Sequence, residues 1–305
     1  MGGLLLPARL NAFVVVFVSI VLQSLPFVLL GVFASAAVQR YLSEGMLARW
    51  LPRRAVPLVA LASVFGFVAP VCDCGVIPLA RRLTAKGVPL YAATTFIIAA
   101  PVVNPVVLAA TAFAFQGNWT VVALRMAMTL SVATSVGLLV SVLFPGTPSL
   151  LPAGVPIRGG SGTPAAPGGG AVRALFAEAS VEYFDIVFFV ILGALFTAAT
   201  QTFVPRGDLT AIGQSPVGSV LTLMPVASLL SICSEADAFV ARAFATTFSL
   251  GAVLAFMTIG QIVDLRNGFL LARTLRGRLV ALIVVVSYGL VLLEGAAINL
   301  LVPRP

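Results

Sequence analysis

Pro70-Val71-Cys72-Asp73-Cys74-Gly75 is a polar segment inside an apolar region of the chain. No charged residue occurs between Val56 and Ala69 before it or between Val76 and Ala80 after it. This apolar region is too short to cross a bilayer twice, so we expect the two thiols and the carboxylate at its tip. A re-entrant hairpin is favoured over a single broken crossing, because it keeps the basic clusters before and after the region on the cytoplasmic side. Ionisable groups at membrane depth are costly to bury, and by default they indicate a functional site. The arrangement recurs at Ser231-Ile232-Cys233-Ser234-Glu235-Ala236-Asp237.

The composition indicates a polytopic membrane protein. Of the 305 residues, 60% are hydrophobic and 9% are charged, whereas a soluble domain carries about 25% charge. The net charge of +8 comes from basic residues in short loops beside apolar runs, which is the pattern that sets membrane topology. Nucleic-acid binding is therefore not expected, and the lipid bilayer is the expected surrounding. The chain has no histidine, and its three cysteines make no disulfide framework.

A segment rich in glycine and proline divides the chain almost in the middle. Residues 145–172 have no means of packing a core, and they predict a flexible cytoplasmic linker. The first membrane repeat is then residues 1–144, and the second is residues 173–305. The N-terminal apolar run is longer than the roughly 7–15 residues of a signal-peptide core, so we interpret it as a retained first span.

The first repeat contains three full spans and one hairpin. The spans are predicted at Leu10–Val38, Leu90–Phe113 and Trp119–Phe144, and the hairpin at Pro57–Leu83. The middle span is interrupted at residues 99–105, because each of two prolines there lacks a backbone donor. Asn104 lies between these prolines, and we expect its amide to join a polar site with the freed carbonyl groups.

The second repeat has the same order of elements. Its spans are predicted at residues 172–204, 251–271 and 279–301, and its hairpin at residues 217–248. The middle span is expected to be weak at residues 258–261. Asp264, Arg266 and Asn267 follow, either as a loop-side ion pair with its neighbour or as part of the site. Glu294 in the last span is interpreted as a hydrogen-bonding group between helices.

The two repeats are expected to lie inverted in the membrane, because each has an odd number of full crossings. All eighteen Lys and Arg residues then fall on the cytoplasmic side except Arg9, Arg125, Arg206, Arg242 and Arg304. The predicted fold is an all-α polytopic membrane protein of two inverted structural repeats, each with three spans plus one re-entrant hairpin. This is the plan of many secondary transporters. Both termini are expected to be extracytoplasmic.

The two hairpin tips carry the candidate binding groups. A Cys-x-Cys pair alone is often only part of an apolar core, but both tips combine thiols with acids. Helix capping is a second interpretation, since Asp73 precedes a helical run and Ser234-Glu235-Ala236-Asp237 has the sequence of a capping box. The two roles are compatible, because helix N-termini stabilise carboxylates and thiolates. The predicted substrate-binding residues are Cys72, Asp73, Cys74, Asn104, Cys233, Glu235 and Asp237, with Cys72, Cys74 and Cys233 as the metal ligands.

Six short motifs are distributed over both halves: Cys72-Asp73-Cys74-Gly75-Val76-Ile77-Pro78-Leu79, Gly87-Val88-Pro89, Ala100-Pro101, Asn104-Pro105, Cys233-Ser234-x-Ala236-Asp237-Ala238-Phe239 and Asp264-x-x-Asn267. Together they resemble the bacterial predicted-permease family, which includes the efflux permeases for trivalent organoarsenicals such as methylarsenite. The resemblance covers nearly all of the chain apart from the linker. It implies a multi-pass inner-membrane permease that exports thiol-reactive metalloid species, with Cys72, Cys74, Asn104, Cys233 and Asp237 at the matching positions.

Two positions depart from that family pattern. Asp73 stands where a serine is usual, and Glu235 stands where a small polar residue is usual. Both changes add negative charge to the tips. Mixed thiolate and carboxylate ligands suit a divalent cation such as zinc better than a neutral organoarsenical.

The predicted function is an inner-membrane secondary transporter that exports a soft metal or metalloid species through the paired tips. No enzymatic activity, catalytic residue or cofactor is expected, and the expected partner is a small inorganic or organometalloid substrate. Two alternatives stay open. Cysteines in both halves would also suit a transmembrane thiol oxidoreductase, although acids beside thiols slow disulfide exchange. The chain would otherwise be a permease subunit that needs a separate partner protein.

Overall fold

Apolar runs separated by prolines, glycines and polar caps fold as helices in this chain. The computed structural model describes residues 5–41, 52, 54–67, 73–144, 170–203 and 215–301, and within them it forms twelve helices and no strand. The helices are α1 (Leu5–Tyr41), α2 (Ala55–Phe65), α3 (Asp73–Ala85), α4 (Leu90–Ala99), α5 (Pro105–Ala114), α6 (Trp119–Leu143), α7 (Gly170–Phe203), α8 (Pro216–Leu230), α9 (Asp237–Phe244), α10 (Leu250–Ile262), α11 (Leu265–Thr274) and α12 (Gly277–Leu301). Residues 145–169 of the expected linker lie outside the described part of the chain.

Several helices have the length and composition of membrane spans. In the described residues, α6, α12 and the α10–α11 pair have 23 to 25 residues and are apolar enough to cross a bilayer, which takes about 20 residues. Large apolar side chains such as Phe113 and Leu301 are 80% exposed on the outer surface. This exposure would be costly in water and is favourable against lipid. The prediction of a multi-pass α-helical membrane protein is confirmed.

Each region that the sequence predicts as a hairpin contains two short helices around a tip. α2 and α3 flank the first tip, of which residues 68–72 lie outside the described residues. α8 and α9 flank the second tip, where Ser231 ends α8 with a left-handed backbone (φ 45°). The Ser231 hydroxyl accepts a hydrogen bond from the Leu265 N–H at 3.0 Å. This bond ties the second tip to the neighbouring broken span.

Both middle spans are broken, and a polar side chain caps the helix that follows each break. α4 ends at Ala99, and Asn104 caps α5 by accepting a hydrogen bond from the Val106 N–H at 2.9 Å. Pro105 takes the first position of α5, where a backbone donor is not needed. Asp264 caps α11 in a similar way, because its carboxylate accepts from the Asn267 N–H. The first break lies where the sequence predicts it.

The second break lies two residues after the predicted weak point. Residues 258–261 are helical within α10, so the prediction of weakness there is wrong. Gly260 is tolerated because it packs against α8, where a Cβ on Gly260 would be 3.2 Å from the Ala227 Cβ. The helix stops instead at Val263, whose backbone is extended. The Asp264 carboxylate then accepts a hydrogen bond from the Asn267 N–H, and a new helix starts there.

The same pairs of helices are in contact in both halves. α2 packs against α4 and α6, and α4 packs against α6; α8, α10 and α12 pack in the same way. Small residues permit the closest approaches between backbones. A Cβ on Gly66 would overlap the Ala100 backbone, and a Cβ on Gly251 would overlap the Gly295 carbonyl oxygen.

The two halves meet around α10, which is buried from Gly251 to Ile262. α1 packs against α7, and α6 packs against α10 and α12. The second hairpin helix of each half also contacts the distal part of the other half's broken span, α3 against α11 and α9 against α5. The polar groups described next are clustered where these helices converge.

Candidate functional site

The second hairpin tip holds a thiol against a carboxylate. Cys233 and Glu235 are both partly buried in the link between α8 and α9. The Cys233 Sγ donates to Glu235 Oε2 at 3.0 Å, and the Ser234 hydroxyl lies 3.5 Å from the same oxygen. A thiol and a carboxylate this close can bind one soft metal ion together once the thiol has lost its proton.

Cys233 also lines a cavity of about 280 Å³ between this tip and α1. The α1 wall contributes Ser19, Gln23 and Ser24, and α11 contributes Arg266. The rest of the lining is mostly apolar. The volume is near the lower end of the roughly 300–1,000 Å³ typical of small-molecule pockets. The cavity therefore has room for a small solute in reach of the thiol.

A fully buried ion pair lies behind the tip. Arg125 of α6 has no exposed surface, and Asp237 at the start of α9 is 1% exposed. The Arg125 Nη2 donates to Asp237 Oδ2 at 2.6 Å, while Nη1 donates to the Thr111 hydroxyl of α5 at 2.7 Å and lies 3.7 Å from the Met257 sulfur of α10. Burying either charge alone would be costly, so the pairing is what makes their depth possible.

Gln261 of α10 extends this network to the tip and to α11. Its Nε2 donates to Asp237 Oδ2 at 2.8 Å and lies 3.4 Å from the backbone oxygen of Ile232 in the tip. The Asn267 Nδ2 of α11 donates to the Gln261 backbone oxygen at 3.2 Å. One connected set of polar contacts therefore joins five helices, α5, α6, α9, α10 and α11.

Asp264 and Arg266 form a second pair, with 3.7 Å between Arg266 Nη2 and Asp264 Oδ2. Both residues are 4% exposed, so of the two alternatives the loop-side pair does not hold. The reason is that the break between α10 and α11 is buried inside the protein. Glu294 behaves as expected, because it accepts a hydrogen bond from Ser131 on α6.

The predicted site residues do not all converge in the described structure. Cys233 and Glu235 touch each other, whereas Asp237 points to Arg125 and Gln261, and Asn104 is 3% exposed and caps its own helix. Cys72 lies outside the described residues. Asp73 and Cys74 begin α3, and their side chains are outside the described part of the structure.

The capping-box interpretation of residues 234–237 is wrong. α9 begins at Asp237, and the residue at its N-cap position is Ala236, which has no capping side chain. Ser234 lies outside the helix, and its hydroxyl is near Glu235 instead of a backbone N–H. Glu235 is engaged by the Cys233 thiol, and Asp237 is engaged by Arg125. Both acids of this tip therefore contact other side chains, and Asp237 also accepts a hydrogen bond from the Ala238 backbone N–H.

The described residues contain no group of three or more His, Cys, Asp and Glu side chains that could hold a metal ion. Cys233 and Glu235 supply two such ligands. The metal-ligand set Cys72, Cys74 and Cys233 stays a prediction, because it includes the first tip.

Arg125 and Gln261 are site residues that the sequence interpretation did not identify. Arg125 was counted only as a basic residue away from the cytoplasmic loops, and Gln261 only as part of a weak point in a span. The useful signal was an arginine near the start of a long apolar span, Trp119–Phe144, since such a residue needs a buried partner. The sequence alone could not tell which acid this partner is.

The helices, the lipid-facing apolar surface and the buried polar centre define a multi-pass α-helical membrane protein with a polar site inside its membrane domain. The chain belongs to the predicted permease family ArsP_1, whose family model matches residues 9–300. The resemblance found in the sequence is therefore confirmed for the family, and it supports a transporter and not an enzyme. The match to this family does not by itself identify arsenicals as the substrate or efflux as the direction of transport.

Two relatives extend this comparison. The UPF0718 protein YcgR of Bacillus subtilis (strain 168) is 38% identical over 286 residues, which are 92% of this chain and 96% of the relative. A protein of Streptococcus mutans serotype c, whose name describes it as a subunit of a two-component membrane permease complex, is 34% identical over 265 residues, or 86% of each chain. No solved structure matches the chain.

The buried pair gives a stability prediction. Replacing Arg125 by Met leaves the Asp237 carboxylate buried without its cation, which should lower the free energy of unfolding by about 3–5 kcal/mol. The double variant Arg125→Met with Asp237→Leu removes both charges and should recover most of the loss. The measurement is the apparent unfolding temperature of the purified protein in detergent.

Arg242→Met is the matched control. Arg242 is an exposed arginine on the same short helix as Asp237, with its guanidinium 5.8 Å from the centre of the Phe115 ring, a contact worth about 0.5–1 kcal/mol at an exposed site. It should unfold close to the wild-type temperature. Equal unfolding temperatures for Arg125→Met and Arg242→Met would contradict a structural role for the buried pair.

Proposed function

We propose that this chain is an inner-membrane secondary transporter that exports a soft metal or metalloid species. The observation that carries the proposal is the Cys233 thiol, which touches Glu235 at 3.0 Å and lines a 280 Å³ cavity inside a permease-family protein. Soft ligands such as thiolates select soft metals and thiol-reactive metalloids. A thiol with a carboxylate beside a solute-sized cavity suits capture and release of such a species.

In this proposal the substrate is held between the two hairpin tips. Cys72 and Cys74 of the first tip join Cys233 as soft ligands, and Asp73 and Glu235 balance the charge of the bound species. Asn104 and the carbonyl groups freed at the first break complete the polar lining. Asp237 reaches the substrate only when its bond to Arg125 opens, so the pair couples the state of the site to the contact between the halves.

The architecture that we propose for transport is a pair of inverted repeats. Its support is the recurrence of helix contacts: α2, α4 and α6 pack as α8, α10 and α12 do, and α3 meets α11 as α9 meets α5. Further support comes from the two breaks, which are capped by Asn104 and Asp264 at matching places. Sites of inverted-repeat transporters lie between broken helices at the repeat interface, and rocking of one repeat against the other exposes them alternately.

The membrane topology of the chain tests whether the two repeats are inverted. Reporter fusions after Asn118 and after Pro305 should report an extracytoplasmic position, and a fusion at Gly160 should report a cytoplasmic position, because each half then crosses the membrane three times. The measurement is the activity of paired reporters that fold on one side of the membrane only. A cytoplasmic position after Pro305 would mean that one hairpin crosses the membrane, and the inverted architecture would be wrong.

A second protein that assembles with this chain is a further part of the proposal. The Streptococcus mutans relative carries a name that describes a subunit of a two-component permease complex. By analogy, this chain would need a partner permease protein for full activity. Flux through liposomes that contain only the purified chain separates the two cases, since a chain that needs a partner gives flux in cells or native vesicles but none in these liposomes.

Transport by everted membrane vesicles tests the function and its substrate class. Vesicles with the chain should accumulate at least one species from a panel of divalent zinc and cadmium, arsenite and a trivalent organoarsenical. Cys233→Ser should abolish or strongly reduce this accumulation, because it removes the soft ligand. Glu294→Gln, which changes a membrane acid outside the tips, is the matched control and should transport normally.

The tip acids should separate the substrate classes. A divalent cation needs compensating negative charge when it loses its water, whereas trivalent arsenic binds thiolates covalently and gains little from a carboxylate. Asp73→Ser with Glu235→Thr should therefore impair transport of a divalent metal and spare that of an organoarsenical. No gradient-dependent flux of any panel member, with or without a partner protein, would contradict the proposed function.

A further inference from the structure

A second, much smaller cavity lies between the two halves. Its volume is about 10 Å³, close to the minimum that holds one water-sized particle. The first half contributes α3 and the end of α4, and the second half contributes α10, α11 and α12. Its polar lining comes from Gln261 and Asn267, which face the proline break after Ile97 and Ile98. None of the seven predicted substrate-binding residues lines this cavity.

The two amide side chains are oriented by their neighbours. Gln261 turns its Nε2 to the Asp237 carboxylate and to the Ile232 carbonyl, and both of these groups can only accept. Asn267 turns its Nδ2 to the Gln261 carbonyl, which also can only accept. The oxygen atoms of the two amides therefore point elsewhere. Gln261 is 4% exposed and Asn267 is 5% exposed, and no donor in the described residues reaches Gln261 Oε1 or Asn267 Oδ1.

The end of α4 adds backbone oxygens to the same wall. Pro101 has no N–H to donate to the Ile97 carbonyl, and the Val102 N–H donates to Ala99 at 3.1 Å instead of to Ile98. Ile97, Ile98 and Pro101 all line the cavity. The carboxyl end of a helix carries partial negative charge. The cavity thus combines two amide oxygens with the negative end of a broken helix.

These groups restrict what the cavity can bind. Oxygen atoms with partial negative charge favour a cation and disfavour an anion. Amide and carbonyl oxygens do not take up protons in the physiological pH range, so the ligand is not a proton bound by the lining groups. No carboxylate occurs among the lining residues that the structure describes, and a divalent cation would need such charge to replace its water.

The nearby arginines do not remove the preference for a cation. Arg125 is matched by Asp237 at 2.6 Å, and Arg266 lies 3.7 Å from Asp264. Neither arginine lines the cavity. The local charge of these side chains is therefore close to balanced. The oriented oxygen atoms then decide whether the cavity favours a positively or a negatively charged ligand.

We propose that this cavity binds one small monovalent cation, Na⁺, and that this ion is coupled to transport. The cavity lies between broken helices of the two halves, and freed carbonyls at such places coordinate coupling ions in transporters. Gln261 connects it to the tip, because the amide that offers Oε1 to the ion also holds Asp237 and Ile232 through Nε2. The coupling rests on the proposed transport function, whereas the binding does not.

The binding test uses the purified full chain in detergent, with the apparent unfolding temperature measured against NaCl at constant ionic strength made up with choline chloride. A ligand that binds the folded state raises this temperature with its concentration. We expect a saturable rise with Na⁺ and a smaller one with K⁺, which is too large for the cavity. Asn267→Leu should weaken the Na⁺ effect about tenfold or more, the scale of losing a coordinating partner. Asn267→Asp should strengthen the Na⁺ effect.

Asn118→Leu is the matched control, since Asn118 caps α6 at an exposed turn and should leave the Na⁺ dependence unchanged. If Asn267→Leu does not fold, Asn267→Asp alone decides the question. Equal unfolding temperatures in NaCl, KCl and choline chloride would mean that the cavity holds water only, and the proposal would be wrong.

The unfolding measurement needs no transport, so a failure of the transport assay would not affect the test of Na⁺ binding. Where flux is present, a Na⁺ gradient should change its rate in the wild type more than in Asn267→Leu.

Discussion

The ion pair between Arg125 and Asp237 constrains how the two halves of this membrane protein fit together. Both charges are withdrawn from water and lipid, so each needs the other at close range. Arg125 comes from the last span of the first half, and Asp237 begins the second hairpin helix of the second half. Thr111 and Gln261 each add one hydrogen bond to the pair. Any arrangement of the halves that separated Arg125 from Asp237 would leave a buried charge uncompensated.

This constraint gives the second tip a defined place in the protein. Asp237 is held by Arg125 and Gln261, and the link before it places Cys233 at the cavity beside α1, with Glu235 against the thiol. Gln261 connects the same carboxylate to the small cavity between the halves. A solute at the thiol and an ion at the amide oxygens would therefore act on one shared carboxylate. In the proposed coupling this shared carboxylate would link the two sites, and the unwound backbone at the two breaks would contribute to both of them.

Much of the fold follows from local sequence features. Apolar length predicts the spans, two prolines predict the break after Ala99, and the tips are recognised by polar groups in apolar surroundings. The predicted weak point at residues 258–261 is too early, because these residues stay helical and the contact of Gly260 with Ala227 makes a small residue favourable there. The Arg125–Asp237 pair could not be predicted, because the partners are 112 residues apart and no local pattern selects one acid over another. The capping-box prediction fails because α9 begins only at Asp237, after Ala236. Glu235 contacts the Cys233 thiol within the tip, and Asp237 contacts the distant Arg125 and Gln261.

The central claim is that the transported species binds at the Cys233 thiol. The most direct measurement is the rate at which a membrane-permeant maleimide alkylates Cys233, followed by mass spectrometry of its peptide, with and without the transported species. The account predicts that this species slows alkylation of Cys233 over the same concentration range that saturates transport. An unchanged alkylation rate at saturating concentrations would contradict it, because the substrate would then cross the membrane without occupying the thiol.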